Sequence, residues 1–306
     1  MRPFVTAILS AFGAALLVTG CSKPEAPPPP TPAESNLPTE GAPRIAIAPD
    51  GVHVQYRVYG SGEPALVFIH GWSGDSNYWR EQVPVFKQAH TVITVDLAGH
   101  GGSSASRTDW TIARFGQDVA TALGAVPAQK LILIGHAMGG PVSIEAARLM
   151  KDRVIGIVGV DTFKTVGAPT PTRAQINAVL QPFESDFIAQ TRTFVSSHLF
   201  ATGGDRPLAD KIAYDMSLSP PQVAVSALRA LLEYDFTEAL KDITVPVVVI
   251  NSDLGEPLNE VRIRKMIPKF RATILPDTGH FLMMEDPATF NPVLEKEIGT
   301  LAAEAE

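Results

Sequence analysis

The chain has 306 residues, of which 45% are hydrophobic, and a formal net charge of −7. This length and apolar content predict one substantial core, in a single large domain with an insertion. The negative charge argues against nucleic-acid binding, which needs a basic face, and the absence of an arginine cluster predicts a neutral or apolar small-molecule substrate. One cysteine excludes a disulfide framework, and no histidine spacing typical of metal sites occurs, so we expect no metal or cofactor.

Residues 1–21 have the pattern of a secretory signal: a basic start, an apolar run over 4–18, and small residues before Cys21. The segment Leu17-Val-Thr-Gly-Cys21 resembles a bacterial lipobox, which implies that Cys21 is lipidated and becomes the mature N-terminus. The alternatives are an ordinary signal peptide or an uncleaved anchor with an incidental cysteine. We therefore expect export and a lipid-anchored protein in a bacterial cell envelope, on the periplasmic side of the outer membrane or the outer face of the inner membrane.

Residues 22–43 are rich in proline, with four in succession at 27–30, and contain little to bury. Such a segment favours extended polyproline structure and acts as a semi-rigid spacer. The pattern predicts a linker that holds the following domain away from a membrane surface.

From residue 44 the pattern alternates between strands and helices. Strands are predicted at 45–48, 52–59, 65–69, 91–95, 130–134 and 154–160, and helices at 79–88, 111–123 and 141–150. Several strands are continuous apolar runs, which is typical of a parallel sheet covered on both faces. Residues 44–161 are therefore expected to form the first part of an α/β core.

Between residues 162 and 242 the strand signal disappears. Helices are predicted at 174–180, 185–200, 206–216 and 221–232, and strands resume at 245–250 and 272–275 before a final helix from 287. Helices inserted between two strands of one sheet are typical of a cap over the site. We expect a helical cap over 162–242 and the second part of the core over 243–306.

The segment Gly135-His136-Ala137-Met138-Gly139 joins an apolar strand to an Ala-rich helix. This is the pattern of a nucleophile elbow, in which a strained central residue leaves no room for neighbouring β-carbons. The central residue is normally serine, and alanine has no oxygen that could attack a substrate.

Four motifs occur in one order: His70-Gly71, residues 96–103, the elbow at 135–139, and Gly279-His280-Phe281. Their order over about residues 44–303 resembles the α/β-hydrolase family. The resemblance implies a mostly parallel central sheet flanked by helices, with an inserted helical cap. It also implies an oxyanion hole formed by the backbone amides of Trp72 and Met138.

The same resemblance makes His280 the general base. The acid that orients His280 is open between Asp161, at the end of a buried strand, and Asp253, with Glu256 third. In most of the family the catalytic aspartate follows the strand that corresponds to 245–250, and this position is a glycine here. Some members instead carry the acid at the end of the preceding strand, which is the position of Asp161. We rank Asp161 slightly ahead of Asp253.

Ala137 leaves three interpretations of activity. The chain is by lineage a hydrolase of small or apolar esters, natural or engineered, whose hydrolysis is impaired by the missing nucleophile, a loss of about 10⁶ in such enzymes. Alternatively, it is a pseudoenzyme that binds a ligand without turnover. In the third interpretation, a histidine and an acid perform base-only, cofactor-free chemistry, as in the dioxygenases of this fold.

Overall fold

The computed structural model describes residues 39–201 and 203–306. The predicted signal segment with Cys21, and the predicted linker up to residue 38, lie outside the described residues. Within the described residues, no helix combines the length and the apolar character needed to cross a bilayer.

The core is an eight-stranded sheet with the order β1-β2-β4-β3-β5-β6-β7-β8. The strands are β1 Arg44–Ile47, β2 His53–Tyr59, β3 Ala65–Ile69, β4 Val92–Val95, β5 Leu131–His136, β6 Val154–Val160, β7 Val247–Ser252 and β8 Phe270–Leu275. The pairs β1–β2 and β2–β4 are antiparallel and all other pairs are parallel. The parallel strands therefore place their carboxyl ends along one edge, where the loops of the site begin.

Eleven α-helices are present among the described residues. They are α1 Val83–Phe86, α2 Ile112–Gly124, α3 Gly139–Leu149, α4 Arg173–Ser185, α5 Phe187–His198, α6 Arg206–Ser217, α7 Pro221–Leu232, α8 Phe236–Ala239, α9 Glu260–Arg264, α10 Leu282–Glu285 and α11 Pro287–Glu304. Short 3₁₀ helices occupy Ser76–Trp79 and Leu240–Asp242. Helices α4 to α7 lie between β6 and β7 in the chain and form the cap.

The central strands are buried along their whole length because helices cover both faces of the sheet. Strands β3, β4, β5 and β7 consist only of buried residues, as continuous apolar runs require. Helix α11 packs closely on β6 at Gly156, where a β-carbon would lie 2.8 Å from a methyl of Leu301. The predicted fold class, a mostly parallel sheet flanked by helices with an inserted cap, is confirmed.

The predicted helix over 79–88 is wrong. The chain forms a 3₁₀ helix over Ser76–Trp79 and then the separate, one-turn α1 over Val83–Phe86. Pro84 has no backbone N–H, so it cannot donate to the preceding turn, and it suits the first turn of a new helix. The proline is thus the signal that marks the restart.

The cap helices differ from the prediction at their ends. Helix α4 continues to Ser185 although Pro182 lies inside it, and α5 starts at Phe187 because Asp186 caps it by accepting a hydrogen bond from the backbone of Ala189. The predicted helix over 221–232 has the same bounds as α7.

Candidate active site

The elbow joins β5 to α3 through Ala137, whose φ of 48° lies in the left-handed region. A β-carbon at Gly135 would lie 2.2 Å from the carbonyl oxygen of Gly139, and one at Gly139 would lie 2.4 Å from that of Ile69. Both glycines are therefore required by close backbone approach. The turn is held further by Thr162, whose hydroxyl donates to the Ala137 carbonyl over 2.8 Å. The elbow geometry thus persists without a serine.

The two amides of the predicted oxyanion hole belong to residues that line one cavity with Ala137. Among the described residues, neither the Trp72 nor the Met138 backbone N–H donates a hydrogen bond to another protein atom. Met138 also lies immediately before α3, where the helix dipole favours negative charge. Both donors are therefore available to a ligand oxygen.

His280 lies beside Asp161, with 2.5 Å between the imidazole Nδ1 and the carboxylate Oδ2. An ionised carboxylate can only accept a hydrogen bond, so Nδ1 of His280 carries the proton and donates it to Asp161. Nε2 then carries the lone pair that a general base uses. The second oxygen of Asp161 accepts hydrogen bonds from the backbone N–H and the hydroxyl of Ser252, over 3.0 and 2.8 Å. It also lies 3.1 Å from the ammonium of Lys164.

Burial of Asp161 favours the neutral acid, but its partners favour the carboxylate more strongly. The hydrogen bond from His280, the charges of His280 and Lys164, and the Ser252 hydroxyl together hold the pKa of Asp161 well below its ordinary value. Asp161 also has a positive φ, of 43°. The acid is therefore ionised and oriented, on a backbone that few non-glycine residues adopt.

The His280 loop is positioned through its backbone as well. The His280 N–H donates to the carbonyl of Leu199, in the cap, over 2.8 Å, and the His280 carbonyl accepts from Nε2 of His136 over 3.0 Å. Burial, with the nearby His280, lowers the pKa of His136 to about 3, so His136 is a neutral imidazole. Glu285 accepts from the N–H groups of Gly279 and Phe281, and burial raises its pKa.

The other two acid candidates are not brought to the histidine. Asp253 and Glu256 are exposed, and among the described residues neither bonds to His280. Three supporting residues were not predicted. Lys164 follows Asp161 at a spacing of three, which is a weak signal. Glu285, the last residue of α10, is close to His280 in sequence and bonds the backbone on either side of it. Ser252, the last residue of β7, reaches Asp161 from a distant part of the chain and has no local signal.

The remaining motif residues hold turns. His70 accepts a hydrogen bond from the Leu97 N–H over 3.0 Å and lies 2.8 Å from the Gly71 carbonyl. Asp96 accepts from the backbone N–H of Ser76 and of Gly102. These contacts fix the loops after β3 and β4, as packing or turn residues do.

Above the elbow and the dyad lies a cavity of about 450 Å³. Its wall is mostly apolar and comes from the core and the cap together, including Trp72, Met138, Phe163, Phe194, Leu228, Leu231 and Phe236. The Trp72 indole N–H donates to the Ala224 carbonyl of α7 over 2.7 Å. This hydrogen bond joins the loop after β3, which carries Trp72, to the cap. An apolar pocket with a few convergent polar groups is typical of a small-molecule site. The described residues contain no cluster of ligands able to hold a metal ion.

The sheet order, the elbow and the paired His280 and Asp161 define a hydrolase-type α/β fold. The chain belongs to the alpha/beta hydrolase family, whose model matches residues 66–293.

Similar proteins include lactonases and an acetyltransferase component. The 3-oxoadipate enol-lactonase 1 of Acinetobacter baylyi is 29% identical over 229 residues, which cover 74% of this chain and 85% of the lactonase. The dihydrolipoyllysine-residue acetyltransferase component of the acetoin cleaving system of Cupriavidus necator is 28% identical, over 82% of this chain and 67% of that protein. The enol-lactonase structure from Burkholderia xenovorans LB400 superposes with a TM-score of 0.73 at 20% identity, covering 84% of this chain and 100% of that one.

Proposed function

We propose that this protein binds small, largely apolar esters or lactones in the cavity and, with Ala137 at the nucleophile position, hydrolyses them at a severely impaired rate. The observation that carries the proposal is the combination at the elbow: strained Ala137, two unbonded amides and the His280–Asp161 pair line one cavity. A carbonyl oxygen at the amides would be polarised, but no side-chain oxygen at position 137 could attack its carbon.

The similarity to enol-lactonases supports an ester or lactone as the ligand class. The apolar wall of the cavity supports a largely uncharged compound. In hydrolases of this type, loss of the nucleophile costs about a factor of 10⁶, and the residual rate comes from binding and the oxyanion hole. Water activated by His280 would account for any slow turnover.

The proposal is tested by restoring the nucleophile. Ala137→Ser is compared with the parent chain and with Ala137→Ser/His280→Ala on p-nitrophenyl esters of two to eight carbons and on aliphatic lactones. We expect Ala137→Ser to raise kcat/KM by at least about 10³ on one of these substrates, and the added His280→Ala to abolish most of the gain. A folded Ala137→Ser protein with no turnover on the whole panel would contradict esters and lactones as the ligands of the site.

A second function, base-only chemistry, is favoured by the ordered contacts of Asp161. Ser252, Lys164 and His280 saturate its carboxylate, which leaves His280 oriented as a base without any nucleophile. Such a base could remove a proton next to a carbonyl held at the amides. Exchange of the α-protons of a ketone in D₂O, followed by NMR, should occur with the parent chain and disappear with His280→Ala. Equal exchange in both proteins would exclude this function.

We also propose that the chain is a bacterial lipoprotein of the cell envelope, anchored through Cys21. The basic start, the apolar run and the small residues before the cysteine support this. Expression of the full chain in a bacterium with radiolabelled fatty acid should label the parent and not Cys21→Ala. Labelling of neither would refute the anchor.

A further inference from the structure

The cap helices α4 to α7, which span residues 173–232, are tied to the core at particular places. Among the described residues, three hydrogen bonds join this segment to residues outside the stretch 162–242. They run from the Trp72 indole to the Ala224 carbonyl, from the His280 N–H to the Leu199 carbonyl, and from the Ser219 hydroxyl to the Ser73 carbonyl, over 2.7, 2.8 and 3.5 Å. All three end on the loop after β3 or on the loop of His280. These are the loops that carry an amide of the oxyanion hole and the base.

Trp72 makes the most extensive of these contacts. Its buried indole lies edge to face with three phenylalanines, which are Phe183 of α4 and Phe187 and Phe194 of α5, with 5.5, 6.2 and 6.4 Å between the ring centroids. With the hydrogen bond to Ala224 of α7, this one side chain contacts three of the four cap helices. Edge-to-face aromatic pairs and a buried hydrogen bond each stabilise this packing, so the cap is seated on Trp72.

The backbone of Trp72 is held by the core. The Gly71 carbonyl accepts hydrogen bonds from Nδ1 of His70 over 2.8 Å and from the Gly74 N–H over 3.2 Å. The carbonyl and the N–H of a trans peptide point in opposite directions, so the Trp72 N–H points away from these donors. A β-carbon at Gly71 would lie 3.0 Å from that of Ala137, which places the peptide against the elbow. The amide proposed for a ligand oxygen and the indole that holds the cap thus belong to one residue.

We propose that the Trp72 side chain is a positioning group, through which the seated cap holds the Trp72 N–H at the place of the ligand oxygen. The proposal rests on the proposed function and extends it, because closure of the cap and completion of the oxyanion hole become one event. When the cap opens, the indole loses its partners on α4, α5 and α7. Since oxyanion donors act most strongly in the transition state, a loosened Trp72 should lower kcat more than it raises KM.

The first test cuts the contact from the cap side. Phe183→Leu is made in the Ala137→Ser background, because Phe183 packs on the Trp72 indole and is not among the described residues that line the cavity. We expect kcat on the best p-nitrophenyl ester to fall about tenfold, which is a part of the roughly 10²–10³ lost with a whole oxyanion donor. KM should change less than about threefold.

Phe290→Leu in the same background is the matched control. Phe290 is fully buried on α11, and it is neither among the rings described as pairing with Trp72 nor among the described lining residues. This variant should lose stability but keep kcat within about threefold. Equal loss of kcat in the two variants, or no loss in Phe183→Leu, would overturn the positioning role.

The second test needs no substrate and uses the full chain with Ala137. Trp72→Phe removes the donor to the Ala224 carbonyl, so the amides of α7 should exchange with D₂O at least about fivefold faster relative to those of β5. An equal change at α7 and β5, which a general loss of stability would give, would overturn the seating of the cap on Trp72. Absence of turnover by Ala137→Ser on every ester would overturn the proposed function and the positioning role with it, whereas the exchange rates would still decide how the cap is seated.

Discussion

The elbow and the acid–base pair line the same cavity but have opposite properties. The elbow keeps its strained geometry and lacks a reactive atom, whereas His280 and Asp161 keep both their geometry and their reactive atoms. The elbow is held by backbone packing around Gly135 and Gly139, which does not depend on the side chain of residue 137. The pair is held by hydrogen bonds and charges at the Asp161 side chain, together with hydrogen bonds of the His280 backbone.

This difference shows that the two parts of a hydrolase site are maintained by different forces. Close packing preserves an elbow whichever small residue occupies its centre. An acid–base pair needs compensation for each buried charge, and Ser252 and Lys164 supply it to Asp161. Substitutions that act on packing and on charge should therefore affect the two regions separately.

The largest effect is expected at Gly139, on the packing side. Gly139→Ala would place a methyl 2.4 Å from the Ile69 carbonyl oxygen and 2.8 Å from that of His70. Both oxygens belong to the backbone, which cannot move freely. We expect a loss of at least about 3 kcal/mol in the free energy of unfolding, measured in urea. Gly299→Ala on α11 is the control, since nothing lies within 4 Å of the new methyl, and it should be neutral or slightly stabilising. Similar effects of the two variants would mean that the elbow is not tightly packed.

Asp161→Asn tests the charge side. The variant leaves Lys164 without its carboxylate partner and should cost about 3 kcal/mol at pH 7. Because folding lowers the pKa of Asp161, its contribution is complete above the unfolded value near 3.9 and is lost as the pH falls below it. The stability difference between the two proteins should therefore shrink below about pH 4. The exposed Asp253→Asn is the control, with an expected change within about 0.5 kcal/mol; a larger loss there would revive Asp253 as the acid.

His136 connects the two regions, since it belongs to the elbow segment and donates to the His280 carbonyl. Burial lowers its pKa to about 3, so its neutral form is favoured in the folded chain. Its contribution to the free energy of unfolding is complete above the unfolded pKa of about 6.5 and is lost as the pH falls toward 3, and the loss reaches about 3 kcal/mol by pH 4.5. Unfolding of His136→Gln, measured between pH 7 and 4.5, should show a correspondingly weaker pH dependence. Parallel curves for the variant and the parent would show that His136 does not titrate on unfolding.

The smallest effect is expected at Ala137 itself. An alanine at a φ of 48° is strained, and Ala137→Gly should relieve the strain, with a net gain of about 0.5 kcal/mol after the greater entropy of unfolded glycine is subtracted. Gly255→Ala is the inverse control, because Gly255 has a φ of 77° and open space around it, and it should lose about 1 kcal/mol. A marked loss in Ala137→Gly would show that the methyl packs in the site and is not merely tolerated.

The sequence alone was sufficient for the parts of the fold that depend on local patterns. Apolar runs predicted the sheet strands, and the glycines at 135 and 139 predicted the elbow, because a crowded backbone turn demands them. The helix over 79–88 was predicted wrongly although Pro84 marks the restart. The absence of a nucleophile at residue 137 could be predicted for the same reason as the elbow, because both are properties of consecutive residues.

Only the tertiary structure decided which groups meet. Asp161 and Asp253 were nearly equal candidates in sequence, and the choice between them as partners of His280 depends on the adjacency of β6 and β7 and the path of the loop that carries His280. Ser252, at the end of β7, supports Asp161 from a distant part of the chain. The sequence determined which side chains are present for chemistry. Which of them meet depends on contacts between distant segments, and no local pattern encodes the distances between those segments.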